Sequence, residues 1–184
     1  MQMQTDIQYR RRKRAALWIA GFFGFLAATF LTIGLLNSIV LKAGVFDWSD
    51  VLLQVLGAFW LVAAVMSFEL IRRDRIELAG GILFSTNFLL TLGIFLALAN
   101  VAALVLIYYV TTSLLLISLV FSPESRVRWL ILMSIGVVIV VAVEAINPAF
   151  RTKSVVLVAI APYVILSAIL VFTGIIVWQV RARS

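Results

Sequence analysis

Residues 72–128 read RRDRIELAGGILFSTNFLLTLGIFLALANVAALVLIYYVTTSLLLISLVFSPESRVR, and this stretch decides the fold. Two arginine-bearing turns bracket a run from Leu78 to Phe121 that carries no charged side chain. A bilayer core about 30 Å thick is crossed by about 20 helical residues rising about 1.5 Å each. The run is therefore too long for one crossing. Asn100 breaks it near the middle, and asparagine is a common helix terminator. Two helices over about 78–99 and 101–121, joined by a very tight turn at Ala99-Asn100-Val101, fit the pattern. A re-entrant pair is the alternative and leaves the topology open.

Working outward, four further apolar stretches have the length of a crossing: about 15–36, 51–70, 127–146 and 155–180. The expected fold is all-α, a polytopic six-helix membrane bundle spanning 15–180, with a basic segment at 1–14 and a short end at 181–184. Ser122-Pro123-Glu124 reads as an N-cap, a proline at the first helical position and an acid in the first turn, so the fifth helix starts a turn before its apolar core. Asn147-Pro148 ends it, because the residue before proline resists helical geometry. Pro162 either kinks the sixth helix or marks its first turn, and a kink is favoured. The first stretch follows a basic cluster, as a signal peptide does. It is longer than a cleaved signal's apolar region and has no clear small-x-small site, so it is expected to stay as a helix.

Orientation follows from the distribution of lysine and arginine, since cytoplasmic loops collect both. With the amino terminus inside, the inner segments hold Arg10, Arg11, Arg12, Lys13 and Arg14, then Arg72, Arg73 and Arg75, then Arg126 and Arg128, then Arg181 and Arg183. The outer loops hold only Lys42, Arg151 and Lys153. Every inner segment is basic, which an odd number of spans would scramble. Both termini are thus expected in the cytoplasm of a cell-membrane protein. Trp18, Trp129 and Trp178 fall at inner ends and Trp48 at an outer end, as indole rings at head-group level do. Trp60 alone falls mid-span, where its N–H needs a partner or a packed site.

Composition excludes much chemistry. Of 184 residues, 64% are hydrophobic and 12% charged, about half the charged share of a soluble domain. Mean hydropathy is +1.17. Cysteine and histidine are absent, which removes disulfides, thiolate and imidazole metal sites, histidine-ligated haem and the usual serine–histidine nucleophile. No metal or other cofactor and no catalytic residue is expected. The net charge of +7 lies beside apolar spans, so anionic lipid head groups are the expected partner and nucleic acid is not. Arg11, Arg12, Arg72, Arg73, Arg128 and Arg181 are the expected cytoplasmic anchors.

Polar groups inside a bilayer are costly and so are the candidates for function. Asn87 lies near the centre of the third span beside Ser85, Thr86 and Thr91; Tyr108, Tyr109, Thr111, Thr112 and Ser113 form a belt on the fourth. With Glu144 near the outer end of the fifth span, Asn87, Tyr108, Tyr109 and Thr112 make a candidate polar pocket. The plainer readings are interhelical hydrogen bonding for the belt and a solvated carboxylate for Glu144. Glu69 precedes Arg72 and Arg73 by three and four residues, the spacing of an interfacial ion pair on one helix face. Ala16, Ala20, Gly24 and Ala28 form a small-residue stripe, suited to close packing within the chain or against a partner subunit or second copy.

From Leu70 onward the chain resembles the membrane regions that precede HAMP, GAF or histidine-kinase modules in bacterial signalling proteins. The resemblance is carried by 72–79 (RRDRIELA), Val127-Arg128-Trp129, 144–151 (EAINPAFR) and Arg181-Ala182-Arg183, over about two-thirds of the chain. It implies a non-enzymatic sensor or scaffold. No output domain follows Ser184, so the unit either stands alone or belongs to something longer. In length, helix count and the Ala16/Ala20/Gly24 stripe the chain is also similar to substrate-binding subunits of energy-coupling-factor vitamin transporters, which implies solute binding as the alternative.

Overall fold

A computed structural model describes residues 2–36, 48–97 and 102–146. Five helices follow in order: α1 (Gln2–Leu36), α2 (Trp48–Arg72), α3 (Ile76–Ala97), α4 (Ala102–Leu119) and α5 (Pro123–Ile146). The described residues contain no strand. Four helices carry a stretch long and apolar enough to cross a membrane, at Ile7–Leu36, Val51–Arg72, Ile76–Leu96 and Pro123–Val143; α4 holds a shorter apolar stretch, Leu104–Leu119. This is the build of an integral membrane protein. The expected sixth span at 155–180, with Pro162, Trp178 and Arg181, lies outside the described residues, as do the outer loops with Lys42, Arg151 and Lys153.

The uncharged run divides into two helices, α3 and α4. They are antiparallel neighbours: Ser122, just past α4, donates its backbone N–H to Glu77 in the first turn of α3 at 3.0 Å. The fifth helix begins at Pro123, as its sequence predicts. Its cap differs in detail, because the Ser122 hydroxyl meets the Ser125 hydroxyl at 3.0 Å.

The basic segment, from Gln2 on, and the first span are one helix. At about 1.5 Å per residue, the 35 residues of α1 reach about 52 Å, well beyond a bilayer core. Gln, Arg and Lys are good helix formers, and nothing between Gln8 and Ala15 breaks the run.

α2 ends in a left-handed turn. Asp74 has a φ of 63°, Arg75 N–H bonds the Leu70 carbonyl at 2.9 Å and Asp74 N–H the Ile71 carbonyl at 3.1 Å. That pair of bonds is the Schellman closure, in which glycine usually holds the left-handed position; aspartate is among the few other residues that tolerate it.

The core lies between α1, α2, α3 and α4, with α5 against α3 and α4. On α1 it takes in Ala16, Ile19, Ala20, Phe23 and Ala27. Ala16, Ala20 and Gly24 of the expected stripe pack inward, and a Cβ on Gly24 would sit 3.7 Å from that of Ala64 on α2. Ala28 is exposed while Ala27 is fully buried. The reason is geometric: steps of four advance about 40° past a full turn at 3.6 residues per turn, so a four-residue stripe drifts off the contact and the buried face falls back by one residue.

Trp60 meets the mid-span expectation through packing. Its ring stands edge-on to Phe23 with centroids 5.5 Å apart. Large apolar side chains are exposed along α2 (Val55, Val62, Val65) and α5 (Val127, Ile131, Ile135, Val138), as hydrocarbon-facing surfaces are.

Candidate functional site

At one end of the bundle the basic residues of α1 grip both neighbouring turns. Tyr9, Arg12 and Lys13 share a helix face because they are three and four residues apart. The Tyr9 hydroxyl donates to Asp74 Oδ1 at 2.9 Å, and Lys13 pairs with the same carboxylate. Lys13 Nζ also reaches the Arg72 carbonyl at 3.4 Å. Arg12 donates to the Val120 carbonyl from Nη2 at 2.8 Å and from Nε at 3.2 Å, and its Nη2 lies 3.4 Å from Glu77. Arg126 Nη2 adds a bond to the Ser118 carbonyl at 3.0 Å. Cations thus sit on the final carbonyls of α2 and α4, where the helix dipole favours them. Lys13 first, and then Tyr9, hold the Asp74 carboxyl below the usual carboxylate range.

The other expected anchors differ from Arg12. Arg11 and Arg128 are exposed. Arg73 and Arg72 pair with Glu69 at 2.9 and 3.8 Å, the ion pair that the spacing predicts. Arg181 lies outside the described residues. Tyr9, Asp74 and Glu77 have no individual role in the reading of the sequence, where Lys13 enters only as one of the basic cluster and Ser122 only as the cap of the fifth helix. The only signal in the sequence was that Asp74 and Glu77, among eight acids in the chain, stand inside an arginine-rich turn.

The polar belt forms a buried seam between α3 and α4. Asn87 Nδ2 donates to Thr112 Oγ1 at 2.7 Å, and that hydroxyl donates to the Tyr108 carbonyl at 2.7 Å. Asn87, Thr91, Tyr108, Tyr109, Thr112 and Ser113 are all buried; Ser85 is exposed. Tyr109 lies beside Phe88 and Phe84, at centroid distances of 5.9 and 6.4 Å. Its hydroxyl occupies a notch that α5 leaves at Gly136, where any Cβ would collide with it. Asn87 Oδ1 and Thr91 Oγ1 make no hydrogen bond among the described residues. Tyr109 and Ser113, one turn apart on α4, interact without reaching hydrogen-bond geometry.

Glu144 stands in the last turn of α5, and its side chain is outside the described residues. Gly136, beside Tyr109, is eight residues earlier, or about 12 Å along the helix. The structure therefore brings Asn87, Thr112, Tyr108 and Tyr109 to one seam and leaves the Glu144 backbone two turns away.

No family model, curated protein or solved structure matches this chain. The chemistry must be read from its own residues. The seam offers neutral oxygens and amides but no acid–base pair, and the described residues contain no group of three side chains suited to a metal. What the geometry can do is hold helices in register, through a charged clasp at one end and a polar seam in the middle.

Proposed function

We propose that this is a non-enzymatic membrane domain of a signalling system, a sensor or scaffold, with six spans and both termini in the cytoplasm. The observation that supports it is the continuity of α1. One helix runs from the bilayer into a basic extension, and Arg12 and Lys13 on that extension grip the α2–α3 turn and the α4–α5 junction. A stimulus that shifts helix packing within the bilayer reaches the cytoplasmic side as a movement of this lever against its two holds. The sixth helix, flexing at Pro162 and ending at Arg181–Arg183, is a second output on this reading. The resemblance to regions preceding HAMP, GAF and kinase modules points the same way, as does the gathering of arginines at one end.

The test is a kinase reporter fused ahead of Met1 in the full chain, read while bilayer thickness is varied. The wild type is expected to respond, and Arg12→Gln with Lys13→Gln to change that response. A reporter indifferent to both overturns the reading.

One observation favours the solute-binding alternative. Asn87 Oδ1 and Thr91 Oγ1 are buried acceptors with no described partner, in the seam that contains most of the candidate polar pocket. On that reading a small molecule copurifies with the wild type and is lost from Asn87→Ala.

A further inference from the structure

The outer face of α3 carries an open groove of about 410 Å³. Its floor is Leu78, Ile82 and Leu89, and its walls are Phe59 of α2 and Trp129 of α5. Gly81 gives the groove its depth, since a Cβ there would press to 3.3 Å from the Trp129 ring. Trp129 is itself fixed by stacking on Phe121 at 4.3 Å and leaning on Phe84 at 4.9 Å. Thr86, the one polar residue in the floor that is buried, spends its hydroxyl on the Ile82 carbonyl at 2.7 Å. The groove thus asks for an apolar occupant.

Its dimensions name the kind. Glu77, at the mouth, and Leu89, at the far end, are twelve residues apart on α3, about 18 Å at 1.5 Å per residue. One leaflet of a 30 Å hydrocarbon core is about 15 Å deep. The groove therefore runs from head-group level to the bilayer midplane, the course of a single acyl chain.

Charge at the mouth names the head group. Glu77 is half exposed and is offset by Arg12. Among the arginines of the two turns, Arg72, Arg73 and Arg126 have partners. Arg75, two residues before Glu77, and Arg128, next to Trp129, do not line the groove, but both are exposed with no side-chain partner among the described residues, and a long arginine side chain can carry its guanidinium from there to a head group at the mouth. The surplus charge is positive, and an anionic phosphate complements it.

We infer that this groove is a binding site for an anionic glycerophospholipid, with one acyl chain along α3 and its phosphate at Arg75 and Arg128. The inference rests on the helices standing in a bilayer and is independent of any signalling role.

Native mass spectrometry of the detergent-solubilised full chain, loaded with phosphatidylglycerol or with phosphatidylcholine of the same chains, tests it. Preferential retention of phosphatidylglycerol is expected. Arg75→Gln and Arg128→Gln should each lower that retention roughly fivefold, the effect of one basic residue near an anionic surface. Ser85→Trp, an exposed position that fills the groove, should abolish it. A second readout is tryptophan quenching by a phosphatidylglycerol with brominated chains, which should be stronger in the wild type than in Trp129→Phe. Equal retention of the two lipids overturns the proposal. So does sensitivity to the arginines without sensitivity to Ser85→Trp, which means surface attraction alone. Equal quenching in the wild type and Trp129→Phe also overturns it, and none of these outcomes bears on the kinase reporter.

Discussion

Asp74 joins backbone geometry to charge. Its left-handed φ closes α2, and its carboxylate receives Lys13 and Tyr9 from the far end of α1. Asparagine also tolerates the left-handed region, so Asp74→Asn should keep the turn and lose the ion pair, whereas Asp74→Ala should lose both. The pH dependence has a fixed sign. The folded-state pKa is depressed, so this contribution is present above the ordinary aspartate value, near 3.9, and is lost as pH falls through the lower folded value. Thermal unfolding in detergent, followed by circular dichroism, should show a decline below about pH 4 that is smaller in Asp74→Asn. Equal declines in the two proteins would remove Asp74 from the clasp. In the seam, the Asn87–Thr112 bond should couple its partners by about 0.6 kcal/mol, the average for interhelical bonds in membranes. A double-mutant cycle of Asn87→Ala and Thr112→Val reads that coupling, and additivity would mean that the two side chains merely touch.

Between elements, the decisive contacts are places where one helix yields room to another. Ala16 and Ala20 are buried against neighbouring helices, whereas Ala28 faces outward. Ala20→Leu should destabilise by about 1–3 kcal/mol, as overpacking does, while Ala28→Leu should stay within about 0.5 kcal/mol of wild type. Equal effects would restore the straight four-residue stripe. At the α4–α5 contact, Gly136→Ala drives a methyl group into the Tyr109 hydroxyl. The expected cost is again about 1–3 kcal/mol. Tyr109→Phe in the same chain should recover part of it by removing the oxygen. It will not recover all of it, because the added Cβ also lies 3.2 Å from Phe88. Denaturation in mixed micelles measures both.

For the whole molecule, what could be read in advance divides along a physical line. Hydrocarbon length and uncharged runs are local properties, so α2, α3 and α5 were legible within a few residues, as were the Pro123 start and the Glu69–Arg73 pair. The extension of α1 was not, because a charged segment outside the bilayer carries no apolar periodicity to mark it as helical. Nor was the clasp: Lys13 and Asp74 are 61 residues apart, and only the antiparallel packing of α1 on α2 brings them together. The seam was legible as a set of residues but not as a set of bonds, since helix phase decides which hydroxyls meet. That antiparallel packing has a consequence for topology. α1 and α2 run in opposite directions, so the clasp end collects residues 9–14, 72–77 and 120–128, and the last turn of α1 and the first turn of α2 lie at the other end. The chain has no cysteine, so single cysteines introduced at Lys42 and Arg73 can be labelled without background. In intact cells a membrane-impermeant maleimide should modify position 42 and spare position 73, and permeabilisation should expose position 73. Equal labelling of the two positions in intact cells would mean that α1 and α2 do not each cross the bilayer.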